Sequence, residues 1–446
     1  MSQNKSEKRS EKWTTNISIT ILGVMFFIFG FITWLNSILI PYFKIGCELT
    51  NVEAYLVAFS FYIAYLFMSV PSSLILERIG FKRGMMLGFF TMAAGCFIFI
   101  PAALYRTYSL FLLGLFLIGT GLAMLQTASN PYITIIGPIS HAVQRISIMG
   151  ICNKVAGIVA PLIFAAVVLK VSDSLMTESI SSNLLGSGEK DALLNEYIRR
   201  VIFPYSVLGT LLTLFGIFIY YSPLPEINTE KSNKEELSDK DSGRKNIFQF
   251  PFLVLGAIAL FFHVGSQVIA IDTIIGYAQT MGMSLLDAKI FPSLTLFATM
   301  CGYILGIICV PRFISQRNAL LLCTVLGMIL SVGVLTMHGD LMFLGHKVDV
   351  SILFLSALGF PNSLIYAGIW PLSIKGLGRF TKLGSSIMIM GLCGSAITPV
   401  IYGHLADHYS ASFSYIILIP CYLYLIFFAS YGYKIKSWRR QRELVS

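Results

Sequence analysis

The chain has 446 residues, of which 56% are hydrophobic and only 12% charged, and its formal net charge is +10. Soluble globular domains carry about 25% charged residues, so the composition excludes an ordinary soluble enzyme and indicates a membrane protein. Its basic residues cluster in alternate polar segments, which indicates membrane topology and excludes a nucleic-acid surface.

Apolar runs long enough to cross a hydrocarbon core of about 30 Å as helices recur along the whole chain. The short alternating segments that are typical of barrel strands do not appear. We therefore predict an all-α membrane protein with twelve transmembrane helices, named spans 1 to 12. Their predicted limits are 18–43, 52–76, 84–104, 108–137, 145–169, 201–222, 248–280, 287–310, 318–338, 350–374, 383–406 and 411–433.

A polar linker at 223–247 divides the spans into an N-terminal six-helix half, 18–222, and a C-terminal six-helix half, 248–434. The remaining segments are tails at 1–17 and 435–446. Of the 32 basic residues, 23 lie in segments on the same side as both tails, so we expect both termini and the linker to be cytoplasmic. The first tail is polar, so span 1 itself is expected to act as the insertion signal.

Two six-helix halves joined by a cytoplasmic linker resemble the major facilitator superfamily, in which access to a midplane site alternates between the two sides. The loop "LERIGFKRG" after span 2 resembles that superfamily's gating loop. The matching residues are Glu77, Arg78, Gly80, Lys82 and Arg83, while Ser73 stands where a glycine is usual. The alternative is an ordinary positive loop.

Polar residues within the spans are candidates for substrate binding, because polar groups in a bilayer need partners. Amides can donate and accept hydrogen bonds to vicinal hydroxyls, and aromatic rings stack on the apolar face of a sugar. The alternative is that these groups only join neighbouring helices, at about 0.6 kcal/mol per bond. The candidates are Asn36, Gln126, Asn130, Asn153, Gln267, Asn362, Tyr366 and Trp370.

The segments "LNSILIPYF" and "LQTASNPYITIIGP" resemble motifs of the fucose–proton symporters and glucose/galactose transporters of that superfamily. The resemblance implies cation-coupled monosaccharide uptake across the cytoplasmic (inner) membrane of a bacterium. Ser37 and Gln126 stand where proton-coupled fucose symporters have carboxylates. The glutamine is typical of the glucose/galactose transporters, so we expect a hexose of that type. Fucose or N-acetylglucosamine symport and an uncoupled uniporter are the alternatives.

Lys154 and Asp272 are the only full charges that the sequence places deep in the spans, one in each half. We expect them to carry ion coupling, with either group exchanging a proton and the two neutralising each other in one state. Alternatively, Lys154 is a fixed cation in place of a bound sodium ion, or a structural cation. Asp272 lies five residues after Gln267, about 140° around a regular helix, so both face one cavity only if span 7 is broken.

No metal site or cofactor is expected, and a proton or sodium gradient would supply the energy. The expected partners are a small sugar and the lipid bilayer, with no nucleic acid and a monomeric chain. Motifs of membrane-embedded hydrolases and nucleotide-binding loops do not occur, which argues against an enzyme. A receptor is disfavoured because only about a dozen residues follow span 12.

Overall fold

The computed structural model describes residues 2–135, 142–170, 173, 187–224, 246–310, 312–343, 345–377 and 380–438. Within them, 12 helical segments are long and apolar enough to cross a membrane, which confirms the predicted fold class. An even number of spans puts both chain ends on one face of the bundle, here called the terminal face, and the opposite face is called the distal face. The spans are Ile17–Gly46, Asn51–Leu76, Phe81–Leu104, Tyr108–Ser129, Ile148–Val168, Gly188–Tyr221, Pro251–Asp272, Leu285–Cys309, Gln316–Thr336, Ser351–Ile374, Leu383–His408 and Phe413–Lys434.

The individual α-helices of the first half are Ser2–Trp34, Asn36–Gly46, Asn51–Ile79, Phe81–Leu104, Tyr108–Ile135, Ala142–Val168, Ser187–Arg199 and Ile202–Tyr221. Those of the second half are Pro251–Asp272, Ile274–Thr280, Leu285–Ala288, Ile290–Cys309, Gln316–Thr336, Ser351–Ala357, Gly359–Ile374, Thr381–Met390, Gly394–His408 and Leu418–Ser430. Short 3-10 helices lie at Ile247–Gln249, Gly391–Cys393, Phe413–Ile417 and Gly432–Lys434.

Three features depart from the predicted elements. The first helix already begins at Ser2, within the predicted polar tail, and helix Ser187–Arg199 extends span 6 into the polar stretch before its predicted start at residue 201. A β-hairpin of β1 (Asp340–Phe343) and β2 (His346–Asp349) lies on the distal face between spans 9 and 10. It turns at Gly345, whose φ of 84° is readily adopted by glycine. The predicted linker lies almost entirely outside the described residues.

Span 1 is divided into two helices, and the helix of span 7 is followed, after a break of one residue, by the short helix Ile274–Thr280. The first break lies at Leu35 and the second at Thr273. At each break a side-chain hydroxyl also bonds to the backbone: Ser37 Oγ donates to the Trp34 carbonyl at 2.8 Å, and Thr273 Oγ1 donates to the Ile269 carbonyl at 2.7 Å. Broken helices persist within a membrane only where other parts of the protein surround them, so both breaks mark the interior of the bundle.

Candidate binding site between the two halves

A cluster of three side chains joins span 1 to span 5. Trp34 Nε1 donates a hydrogen bond of 3.2 Å to Asn153 Oδ1, and Lys154 Nζ lies 4.1 Å from the centre of the Trp34 ring. Asn153 Nδ2 also approaches the Phe26 carbonyl at 3.4 Å. Trp34 is 4% exposed and Lys154 is 6% exposed. The buried ammonium group of Lys154 therefore contacts the π-face of the Trp34 indole, where a carboxylate would be the more usual partner.

Two glycines let these helices approach so closely. A Cβ atom at Gly30 would overlap the Asn153 carbonyl oxygen, and one at Gly157 would overlap the Trp34 indole. Small residues at helix interfaces are the usual way to bring membrane helices together. The positions of Trp34 and Asn153 thus follow from glycines on each of the two helices.

The second half presents aromatic groups to this cluster. Lys154 is close enough to His263 of span 7 for an electrostatic interaction, although the lysine belongs to the first half. The ring of His263 lies 6.5 Å from that of Tyr366, which stacks on Trp370 at 5.7 Å with an interplanar angle of 18°. Both halves therefore contribute to one polar and aromatic region at mid-depth.

The predicted residues of span 4 lead to span 2. Gln126 is half-buried, and its Nε2 donates to the Tyr65 hydroxyl at 3.0 Å. Tyr65 in turn lies near Tyr366 across the interface between the halves. Gln126 is therefore connected to the central region through Tyr65. The side chain of Asn130 lies outside the described part of the structure.

The remaining sugar-binding candidates are not all brought together. Asn362 is 1% exposed and accepts a 2.9 Å hydrogen bond from Tyr422 of span 12, so it lies inside the second half. Gln267 is half-buried in span 7. The break in span 7 follows Asp272, so Gln267 and Asp272 remain on one continuous helix and point in different directions.

Lys154 and Asp272 do not form an ion pair in this conformation. Whereas Lys154 faces Trp34 and His263, Asp272 is 1% exposed and interacts electrostatically with Tyr55 and Tyr62 of span 2. Neither carboxylate oxygen of Asp272 has a hydrogen-bond partner among the described residues. The expected mutual neutralisation is thus not a feature of this state.

The two halves are joined at the distal face by a group of contacts that we call the distal latch, formed by Asn51, Val52 and Asp407. The carboxylate of Asp407, in span 11, accepts from the backbone N–H groups of Asn51 at 3.1 Å and Val52 at 3.0 Å. It also accepts from Asn51 Nδ2 at 2.6 Å. An anion here caps the N-terminus of span 2, where it is favoured by the helix dipole. The latch therefore holds the distal face closed.

Two cavities lie between the halves just beneath the latch. The larger measures about 260 Å³ and is lined by Tyr55, Tyr402 and Tyr409 among others. The smaller measures about 20 Å³ and reaches Asp272. Lys44, Asn51, Tyr55 and Gly276 line both cavities, so the two are neighbours along one route from the distal face.

The predicted gating loop lies at the terminal face. Gly80, with φ of 83°, separates the helices of spans 2 and 3. Lys82 Nζ donates to the Ser222 carbonyl at 2.5 Å, at the end of span 6, while Arg78 and Arg83 are exposed. The side chain of Glu77 lies outside the described part of the chain.

Sequence reasoning missed several residues of the interface between the halves. They include Tyr55, Tyr62 and Tyr65, which are aromatic residues in an apolar helix, where nothing in the local pattern separates them from packing residues. Asp407 lies at the end of span 11. The sequence shows only a carboxylate next to the end of a span, and this does not reveal that its partner is Asn51, 356 residues away.

Comparisons with known proteins agree with this architecture. The sequence profile of the Major Facilitator Superfamily matches residues 22–391. A glucose/galactose transporter of Brucella abortus is 33% identical over 432 residues, which cover 96% of this chain and 97% of the relative. An L-fucose-proton symporter of Escherichia coli is 26% identical, covering 88% of this chain and 87% of the relative.

A solved structure is similar over nearly the same length. It is the crystal structure of the major facilitator transporter FucP in the outward conformation, with a TM-score of 0.67 and 25% identity. The match covers 94% of this chain and 99% of that chain. The chain therefore belongs to the major facilitator superfamily, within the family of fucose–proton symporters and glucose/galactose transporters.

Proposed function

We propose that the chain is a secondary active transporter that imports a monosaccharide across the cytoplasmic membrane of a bacterium by alternating access. The observation that carries the proposal is the cluster of Trp34, Asn153 and Lys154, which faces His263 and Tyr366 of the other half at mid-depth. A substrate bound there contacts both halves, so its binding responds to their relative movement.

The chemistry of this region suits a sugar. The Asn153 and Gln126 amides can donate to and accept from hydroxyls, and the stacked rings of Tyr366 and Trp370 offer an apolar surface. The names of near-full-length relatives support a glucose- or galactose-type hexose as the substrate. L-Fucose and N-acetylglucosamine are the alternative substrates, and the L-fucose-proton symporters among the relatives support the first.

The orientation and energy source are also part of the proposal. The basic loops support a cytoplasmic terminal face, so the distal face opens to the outside. We propose coupling to a proton or sodium gradient, with uncoupled uniport as the alternative. The chain would act as a monomer, without catalytic activity, cofactor or nucleic-acid partner.

Uptake into proteoliposomes tests the function. Purified transporter is reconstituted, and uptake is measured for radiolabelled D-glucose, D-galactose, L-fucose, N-acetylglucosamine and D-glucuronate, under a pH gradient, a sodium gradient or neither. D-Glucuronate is included because Lys154 has no carboxylate partner among the described side chains. We expect saturable uptake of D-glucose or D-galactose about tenfold above that of L-fucose. If no sugar enters faster than into empty liposomes, the proposal is wrong.

A further inference from the structure

The breaks in spans 1 and 7 place two polar residues opposite each other. Asn36 is the first residue of the second helix of span 1, and Asp272 is the last residue of the first helix of span 7. Both are 1% exposed. Discontinuous helices in transporters commonly form ion or substrate sites where their ends meet. These two breaks lie on opposite sides of the interface between the halves.

Unsatisfied polar atoms gather around Asp272. Both of its carboxylate oxygens, the Asn36 Nδ2 atom and the Tyr62 hydroxyl lack hydrogen-bond partners in the described part of the chain. Tyr62 interacts electrostatically with Asp272 and lies beside the Asn36 side chain. Because few buried polar atoms in folded proteins lack a partner, such a group from three spans indicates a site with a function.

The size of this site limits what it can bind. The adjoining cavity of about 20 Å³ has room for a single water-sized particle, which excludes a sugar. No group of three or more His, Cys, Asp or Glu side chains that could hold a metal ion occurs among the described residues. A hard metal cation prefers six or more oxygen ligands, whereas a proton needs one carboxylate. The site therefore suits a proton.

The groups around Asp272 supply no strong positive charge that would hold it ionised. Lys44 lines the same cavity but donates a 2.6 Å hydrogen bond to Asn51 Oδ1. In this conformation neither carboxylate oxygen of Asp272 receives a hydrogen bond from a described residue, and such a buried carboxylate is far more costly than the neutral acid. The titratable or charged groups that face the site are Lys44 from span 1, Tyr55 and Tyr62 from span 2, and, beyond Tyr55, Tyr402 and Asp407 from span 11.

We propose that Asp272 is the proton-binding site of this transporter, and that the distal face closes only when Asp272 carries a proton. The inference rests on the proposed transport function and names its coupling ion and carrier. When the distal latch opens, the small cavity joins the larger one, and a carboxylate oxygen of Asp272 binds a proton from external water. Closure then buries a neutral acid whose O–H can be donated to the Tyr62 oxygen, while its carbonyl oxygen can accept from Asn36 Nδ2.

The first test measures coupling in proteoliposomes. With an inward pH gradient of about one unit, the wild type should concentrate D-galactose up to about tenfold and acidify the lumen. Asp272→Asn should exchange D-galactose in counterflow but fail to concentrate it or to carry protons. Asp340→Asn makes the same chemical change at a 71% exposed carboxylate in the β-hairpin and should behave as the wild type.

The outcomes separate the two proposals. If the wild type shows no counterflow of any sugar in the panel, the transport function itself is wrong. If counterflow occurs but Asp272→Asn still accumulates D-galactose under the pH gradient, the assignment of Asp272 is wrong. Accumulation driven by sodium and not by protons would also overturn it.

A second test measures closure without transport. A cysteine reporter, Thr280→Cys in a Cys47→Ser background, lines the larger cavity and can be labelled by an impermeant maleimide. Labelling relative to the exposed reporter Met342→Cys should fall severalfold between pH 8 and pH 5 in the wild type. In the Asp272→Asn background the ratio should stay low at every pH. An unchanged ratio in the wild type, or an unchanged pH dependence in the variant, would contradict the proposal.

Discussion

Replacing Trp34 by phenylalanine tests whether this side chain organises the sugar site. The substitution removes the Nε1 donor of the 3.2 Å hydrogen bond to Asn153, which is worth about 0.5–1.5 kcal/mol. It also replaces the indole under Lys154 by a ring with a weaker cation–π attraction, at a cost of about 1 kcal/mol. The sum is about 1.5–2.5 kcal/mol, so we expect the half-saturating concentration of D-galactose to rise roughly 10- to 70-fold.

The assay is counterflow of radiolabelled D-galactose in proteoliposomes, measured over a range of external concentrations. Trp438→Phe is the matched control, because it removes a comparable hydrogen bond, 2.7 Å to the Phe248 carbonyl, at a 58% exposed residue outside the site. The control should stay within about twofold of the wild type. If Trp34→Phe, folded and monodisperse, also stays within twofold, Trp34 does not organise the site.

Three further predictions follow from contacts near the site and at the distal face. Gly157→Ala should displace the Trp34 indole and raise the half-saturating concentration of D-galactose about tenfold. The control Gly188→Ala, where an added Cβ has no neighbouring atom within 4 Å, should leave that concentration unchanged. Equal half-saturating concentrations for the two variants would refute the packing argument. Asp407→Asn should weaken the distal latch by about 1–2 kcal/mol. Maleimide should then label the Thr280→Cys reporter in the larger cavity roughly 5- to 30-fold faster, and an unchanged labelling rate would argue against the latch. Burial raises the pKa of the Cys47 thiol to about 11 from its ordinary 9.0. Maleimide should therefore label Cys47 about 100-fold more slowly than an exposed cysteine at pH 7.5, and the labelling rate should still rise at pH 9.5. A labelling rate that reaches a plateau near pH 9 would contradict this.

Much of the fold could be predicted because helix length and hydrophobicity are local properties of the chain. The number of spans depends only on apolar runs of sufficient length. The hairpin at residues 340–349 was missed, since two four-residue strands are too short to give a clear alternating pattern. The breaks at Leu35 and Thr273 were also not located, although Ser37 and Thr273 carry hydroxyls that bond to the backbone beside them.

The site was harder to predict than the fold, because it depends on how each helix is rotated about its axis. Asn153 and Lys154 were among the predicted site residues, but the sequence did not show that Trp34 would contact both. Asn362 shares a helix face with Tyr366, yet it bonds to Tyr422 within its own half. The hydrogen-bond partner of such a residue is set by the tertiary packing of the helices and cannot be predicted from the spacing of residues along one span.

The central claim is that a sugar crosses the membrane through the site at Trp34 and Asn153, and counterflow with a variant of Asn153 tests it most directly. Proteoliposomes loaded with unlabelled D-galactose are diluted into a trace of labelled sugar, so no ion gradient is needed. Asn318→Ala, at an exposed residue, serves as the matched control. The account predicts a transient overshoot for the wild type and Asn318→Ala, and its loss in Asn153→Ala. An overshoot of wild-type height in Asn153→Ala would contradict the account.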